Sequence, residues 1–355
     1  VISLNFKKFL MRKMNKVNQY IKSEGFANVN KIDITVLVTS ITQREVTLET
    51  AIYYSKICNE VIIVDEEKPH LSVNDVDKLH KRGIRYFSYN DGSDESLSST
   101  YEKRLIAATH AKSNYVVHSN HDERYTYQGL LASLNELKNK KDLIFCVGQC
   151  IAVRKDESGI FFTRSYPNLD GYKNVGNLEQ RLYYHSKKYA PLAHYAVWRR
   201  ESYIHASEKT VTIHNLTPST TMMEEVIFEL AADLTGNSKA IPELFWIRNR
   251  INPHIHNSND TGTHIFKIIE EKLKILFAGA DNVKIDIIIK NFCNNSFAFL
   301  QTNLLLKTLI LVRKKINNMG KKKKITDIDY LLNSHKINYN SDDISNIFRS
   351  SRFFM

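Results

Sequence analysis

The chain is poor in the residues that punctuate or staple a fold: 355 residues hold only 12 glycines, 6 prolines and 4 cysteines. So little glycine and proline excludes collagen-like and linker-like organisation. Low-complexity sequence is confined to a lysine run at 321–324 and the polar tail, and no repeat of useful length is present. Cys58, Cys146, Cys150 and Cys293 follow neither metal-ligand nor redox spacing. Cys58 and Cys146 lie in apolar runs, where a thiol behaves as a small hydrophobe. That usage belongs to a reducing compartment, so the expected location is cytoplasmic.

Long apolar runs are missing too. The nearest approach to a membrane span, at 297–312, contains Gln301, Asn303 and Lys307. The amino end, Phe6-Lys7-Lys8-Phe9-Leu10-Met11-Arg12-Lys13-Met14, is basic and amphipathic but lacks the apolar core and small-residue cleavage site of a secretory signal. Glycine is also absent from Thr39-Ser40-Ile41-Thr42-Gln43-Arg44-Glu45, the turn after the first expected strand. Phosphate-binding and dinucleotide-binding loops need glycine there, which argues against kinases, dehydrogenases and nucleotidyltransferases.

What the chain has is apolar content and positive charge. With 43% hydrophobic residues it can bury a large core without staples. A net charge of +12 favours anionic partners: nucleic acid, acidic polysaccharide or the cytoplasmic face of a membrane. No zinc pattern or aromatic RNA-binding signature accompanies the charge, and the basic residues are spread out, so no nucleic acid is expected.

Between residues 33 and 122, β-branched runs alternate with helical stretches. Strands are expected at 34–39, 60–65, 84–87 and 114–119, and helices at 45–57, 73–81 and 96–111. Fully apolar strands spaced by helices mean a parallel sheet covered on both faces, and such sheets bind ligands beyond the carboxyl ends of their strands. Further on, the pattern predicts helices at 129–138, 178–188 and 224–234. It also predicts an antiparallel pair at 142–154 and 160–164 and a short strand at 242–248. The expected class is α/β, a Rossmann-like mixed sheet, mostly parallel and flanked by helices. Three parts are expected: a basic amphipathic helix at 1–31, the sheet domain at 32–262, and a helical module with a basic tail at 263–355.

Polar residues fall where that sheet would use them. The first strand runs into Thr39-Ser40-Ile41-Thr42-Gln43-Arg44, the second ends in Val64-Asp65-Glu66, and the fourth ends in Asn120-His121-Asp122. This ordered set resembles the family 2-like glycosyltransferases of GT-A fold, in a bacterial branch assigned to surface polysaccharide (capsule or lipopolysaccharide). The resemblance covers residues 34–250. Those enzymes open with a Pro-Thr-Tyr-Asn-Arg-like turn, end a second strand in Val-Asp-Asp and carry an Asp-x-Asp metal motif. Tyr101-Glu102-Lys103-Arg104-Leu105-Ile106-Ala107-Ala108 is similar to their basic helix near the donor.

The resemblance implies a nucleotide-sugar donor, a glycan or lipid-linked glycan acceptor and a divalent cation, Mn²⁺ or Mg²⁺. It places Thr39, Ser40, Arg44, Asp65, Glu66, Lys103, Arg104, Asn120 and His121 around the donor. Asp122 is the expected metal ligand, with His254 and His256 as further candidates. Asn120 replaces the first aspartate of the family motif, which removes one carboxylate, and His121 makes the site softer and favours Mn²⁺. Glu224 and Glu225 match the carboxylate that deprotonates the acceptor hydroxyl, with Glu224 preferred. Acids in a helix's first turn are also favoured by the macrodipole, and that reading stays open. A scaffold that binds nucleotide-sugar without turnover is the alternative within the family; a basic nucleic-acid binder is the alternative outside it. The 321–324 lysine run suits a peripheral position at the inner face of the plasma membrane, and a solvated helix end fits it equally.

Overall fold

Strand β1 (Ile32–Ser40) is buried at every position except Asp33, and β2 (Cys58–Asp65) at every position except Asn59. A strand with no polar face must lie inside a sheet covered on both sides. β1 pairs in parallel with β2 and with β4 (Tyr115–Ser119), and β2 pairs in parallel with β3 (Ile84–Ser88). The computed structural model describes residues 30–40, 44–68, 70–89, 99–120, 123–156, 159–187, 191–216, 221–250, 271–277 and 327–350.

The helices between these strands are α1 (Arg44–Ile57), α2 (Val73–His80) and α3 (Thr100–His110). Ser72 Oγ accepts from Asp75 N at the start of α2, and Ser99 Oγ accepts from Glu102 N at the start of α3. Gly83, at φ +75°, lets the chain leave α2 and enter β3.

The second half of the sheet is built differently. β5 (Glu123–Tyr125) and α4 (Tyr127–Asn139) precede the long hairpin of β6 (Leu143–Asp156) and β7 (Gly159–Ser165). After β8 (Lys173–Asn174) come α5 (Leu178–Lys187), β9 (Val197–Arg199), α6 (Arg200–Leu216), α7 (Thr221–Thr235) and β10 (Asn237–Asn249). The sheet order is β3-β2-β1-β4-β9-β6-β10-β5, with β7 on β6 and β8 on β10. β9 runs antiparallel to both β4 and β6, and so joins the first parallel block to the parallel pair β6–β10. The sheet is mixed: β1, β2, β3, β4, β6 and β10 share one direction and the others oppose it.

β10 is longer than the expected 242–248 stretch because Pro242 sits at an irregularity in its pairing with β6, not at an end. The gap is filled from the C-terminal part of the chain. Asn338 N donates to Pro242 O and Leu244 N donates to Asn338 O. Helices α8 (Ile328–Ser334) and α9 (Ser341–Ser350) flank this bridge, and Leu331, Leu332, Ile337, Ile344 and Ile347 join the main hydrophobic core. Asp343 ties α9 to α4 by accepting from Gln128 N. α4 itself lies close on β10: a Cβ at Gly129 would fall 2.5 Å from Leu244 O and 2.6 Å from Phe245 Cα. Among the described residues, no helix is long and apolar enough to cross a membrane.

Candidate functional site

Parallel registration brings three strand ends to one edge. Ser40 pairs with Asp65 across β1 and β2, and Val38 pairs with Ser119 across β1 and β4. Thr39, Ser40, Asp65, Glu66 and Asn120 therefore gather beyond one end of the sheet, where α/β sheets bind their ligands. Ser40 and Asp65 are buried there.

Most of the charge at this edge is already paired. Asp65 Oδ2 accepts from Arg44 Nε at 2.7 Å and from the Tyr86 hydroxyl at 2.6 Å, while Oδ1 accepts from Glu67 N at 3.2 Å. Arg44 also donates to Glu67 O, so the pair locks the start of α1 onto the end of β2. Lys103 Nζ lies 2.6 Å from Glu66 Oε2, with both side chains buried. Two of the three cations read from the sequence are thus matched by the two carboxylates read with them.

Arg104 is not. It is 2% exposed, and no carboxylate lies within ion-pair distance of it among the described residues. Its guanidinium stacks 4.5 Å from the Tyr101 ring centre, and Nη1 stands 3.1 Å from His194 Nδ1. The Tyr101 hydroxyl addresses the same nitrogen at 2.9 Å. On the other side of the imidazole, Asn120 Nδ2 lies 3.4 Å from Nε2. His118, on β4, reaches Thr39 Oγ1 at 3.3 Å. Burial, reinforced by Arg104, pulls both His118 and His194 well below the usual histidine range, so both are neutral. Among the described residues, Arg104 Nε, His118 Nδ1 and Ser40 Oγ are buried with no hydrogen-bond partner. Such atoms also occur elsewhere in the core, at Trp246 Nε1 for one, but these three stand at the edge where α/β sheets bind their ligands.

His194 is held from below. It lies in a short 3-10 turn, Ala193–Tyr195, whose Ala193 N and His194 N both donate to the Glu229 carboxylate, at 3.0 and 2.9 Å. Glu229 is on α7, one turn before Asp233, which meets His185 Nδ1 at 2.7 Å. Burial raises the Glu229 pKa well above the carboxylate range, against the pull of His185 and the two N–H groups.

The two candidate bases have different surroundings. Glu224 is 1% exposed; Oε2 accepts from Thr100 N at 3.1 Å and Oε1 lies 2.8 Å from His214 Nδ1. It joins the starts of α3 and α7 to the end of α6. Glu225 is half-buried and sits in the field of Arg104, Arg248 and Arg250. Burial raises its pKa, and the three arginines oppose that rise. Glu224→Ala strands the Thr100 N–H and His214, so it should destabilise the fold by about 2–4 kcal/mol. Urea unfolding should show this as a lower midpoint, with the rate per folded molecule retained.

Beyond Glu225 lies a second buried pair absent from the sequence reading. Arg248 Nε is 2.9 Å from Glu123 Oε1, and its guanidinium lies 5.0 Å from the Tyr195 ring centre and 5.8 Å from that of Tyr166. Tyr166 accepts from Arg248 and takes a left-handed backbone, φ 52°, a conformation costing a non-glycine residue about 1–3 kcal/mol. Glu123 follows directly on the Asn120-His121-Asp122 turn. His121, Asp122, His254 and His256 lie outside the described residues. Among the described residues, no three His, Cys, Asp or Glu side chains gather to hold a metal ion.

His194 and His118 were the other omissions. His118 is hidden inside a strand pattern, and His194 within an aromatic string at 189–198, where neither stands out by spacing or by a nearby charge.

These features define an α/β protein whose mixed, mostly parallel sheet gathers polar side chains at the ends of β1, β2 and β4. No family model and no curated protein matches the chain. Among solved structures it is similar to S. aureus TarS 1–349 in complex with UDP-GlcNAc, at 12% identity over 78% of each chain with a TM-score of 0.49. The crystal structure of TarS 1–349 on its own is similar at 12% identity, over 78% of this chain and 77% of that one, with a TM-score of 0.47. A third TarS structure matches at 13% identity over 77% of this chain and 46% of the other, with a TM-score of 0.46.

Proposed function

We propose that the chain is a GT-A glycosyltransferase that moves a sugar from a nucleotide-sugar donor to an acceptor glycan. The observation that carries this is Arg104: a buried guanidinium with no carboxylate in ion-pair contact among the described residues, at the edge where β1, β2 and β4 end. An uncompensated buried charge is costly, and it is retained where an anion arrives to share it. The diphosphate of a nucleotide-sugar is such an anion, and it gains charge as the sugar departs. Thr39 and Ser40 line the same edge, the latter with an unused hydroxyl, while the Arg44–Asp65 and Lys103–Glu66 pairs frame the nucleotide.

The base is assigned to Glu225 rather than Glu224, because Glu225 is half-open and faces Arg104, while Glu224 is sealed by Thr100 and His214. The acceptor hydroxyl would lose its proton to Glu225 as it attacks the anomeric carbon. Asp122 is proposed to hold Mn²⁺ or Mg²⁺, with His121 and either His254 or His256; since Glu123 is engaged by Arg248, Asp122 is the carboxylate that turn has left to give. Bound there, the ion would neutralise the leaving diphosphate. The acceptor is proposed to be a glycan or lipid-linked glycan of a bacterial surface polysaccharide, capsule or lipopolysaccharide. The enzyme would work in the cytoplasm, peripheral to the membrane's inner face.

A panel of nucleotide-sugars tests the reading by thermal shift, with and without Mn²⁺, followed by product analysis with acceptor glycans. Stabilisation by one donor and transfer from it are expected. No shift with any donor counts against the assignment, and binding without transfer points to a scaffold.

A further inference from the structure

We infer that His194 is a positioning residue that aims Arg104 at the donor diphosphate while leaving its charge uncompensated. The inference rests on the glycosyltransferase reading above and deepens its donor site. Buried arginines are usually oriented by a carboxylate, which fixes the guanidinium and cancels its charge in one contact. The neighbouring cations follow that rule: Arg44 with Asp65, Lys103 with Glu66 and Arg248 with Glu123. Arg104 departs from it, because its closest polar partner is an imidazole, with Nη1 3.1 Å from His194 Nδ1.

The tautomer follows from the contacts. Arginine can only donate, and Nη1 lies 3.1 Å from Nδ1 while Nη2 lies 3.4 Å from Nε2. A neutral imidazole offers one acceptor, and the shorter contact, shared by the Tyr101 hydroxyl at 2.9 Å, assigns it to Nδ1 and the hydrogen to Nε2. Asn120 Nδ2 lies 3.4 Å from Nε2, and a flip of that amide would set its oxygen to accept the ring hydrogen. The ring is fixed from the main chain, because Glu229 grips the N–H groups of Ala193 and His194. Tyr101 closes the assembly by supporting the guanidinium on its face, 4.5 Å away. A neutral acceptor thus gives Arg104 a direction without an opposing charge in contact with it, Glu225 acting only at longer range. Arg104 Nε has no hydrogen-bond partner among the described residues, which leaves that donor open to a ligand.

A histidine kept only for packing would tolerate different substitutions from one kept for neutrality. The test compares wild type, His194→Glu and His194→Gln by calorimetric titration with UDP, GDP, ADP and inorganic pyrophosphate, alongside thermal unfolding. His194→Glu places a carboxylate against Arg104. Its melting temperature should hold or rise, while affinity for the best-binding probe falls about tenfold to a hundredfold, the worth of a charged hydrogen bond. His194→Gln keeps an uncharged acceptor and should stay within about threefold of wild type. Should His194→Glu fail to fold, His194→Phe carries the comparison; it keeps a ring but offers no acceptor, and it should lose about tenfold in affinity where glutamine does not. Unchanged affinity in His194→Glu, or an equal loss in His194→Gln, overturns the inference and leaves the donor site standing. Wild-type protein that binds none of the four probes overturns both.

Discussion

Arg104→Met should melt at a higher temperature than the wild-type chain and yet bind no donor. The two effects have one cause. In the ligand-free protein the guanidinium is buried against a neutral histidine and the face of a tyrosine, with its Nε unsatisfied. Replacing buried charge by an apolar side chain of similar length is often stabilising, by about 1–4 kcal/mol. The carboxylate left in its field is Glu225, which burial already favours in the protonated form, so little new orphan charge offsets the gain. For a chain of this size that corresponds to about 1–2 °C per kcal/mol. Binding moves the other way. Each charge-assisted hydrogen bond to the diphosphate is worth about 1.5–3 kcal/mol, and two of them account for a loss of about a hundredfold or more. Thermal shift on both proteins, with and without the donor found by screening, reads both quantities. A variant that melts several degrees lower and still responds to donor would place Arg104 among ordinary core residues.

The parts legible from sequence were those in which local pattern and burial agree. β1, β2 and β4 are β-branched and largely buried on both faces, so their existence and their parallel pairing follow from the pattern. α6 was missed although its buried residues, Tyr203, Ala206, Ser207, Thr210, Ile213 and His214, repeat at helical spacing. The reason is chemical: most of that face is small or polar, so it carries little hydrophobic signal. β5 and β9 are three residues each, too short for any period to show.

At the candidate site, the residue types are visible in the sequence and their pairing is not. Arg44, Lys103 and Arg104 look alike in sequence as cations near strand ends. Only the fold distinguishes them, by giving the first two a carboxylate and the third an imidazole. The ordering of Glu224 and Glu225 likewise depends on which turn of α7 meets Thr100 and His214, and a one-residue step along a helix turns the side chain by about 100°. Glu229 and His194 are linked by a main-chain contact between α7 and a distant turn, and no sequence pattern reports such a contact.

Glu225→Gln should lower kcat by about 10²–10⁴-fold, the range a positioned general base supplies, with donor affinity kept or slightly raised. Affinity is spared because Glu225 opposes the diphosphate: it is a negative group in the field of Arg104, and neutralising it leaves that guanidinium more available to an anion. The pH dependence fixes the sign. Burial raises the Glu225 pKa above the ordinary carboxylate value, so more of the side chain is protonated at mildly acidic pH than for an exposed glutamate. A base works only when ionised, so kcat should rise with pH through that displaced pKa and level off above it. Glutamine has no such limb, and the variant's residual rate should stay flat across the same interval. Donor and acceptor titrations at several pH values separate this from a packing effect, since a loosened α7 would raise KM for the donor and keep the limb. A glutamine variant whose kcat stays within about threefold of wild type above the limb would return the base to Glu224 or to a residue outside α7. If the limb vanishes with the carboxylate, Glu225 is the group that takes the proton, and the paired acids around it, Glu224 with His214 and Glu229 beneath His194, hold the frame in which it does so.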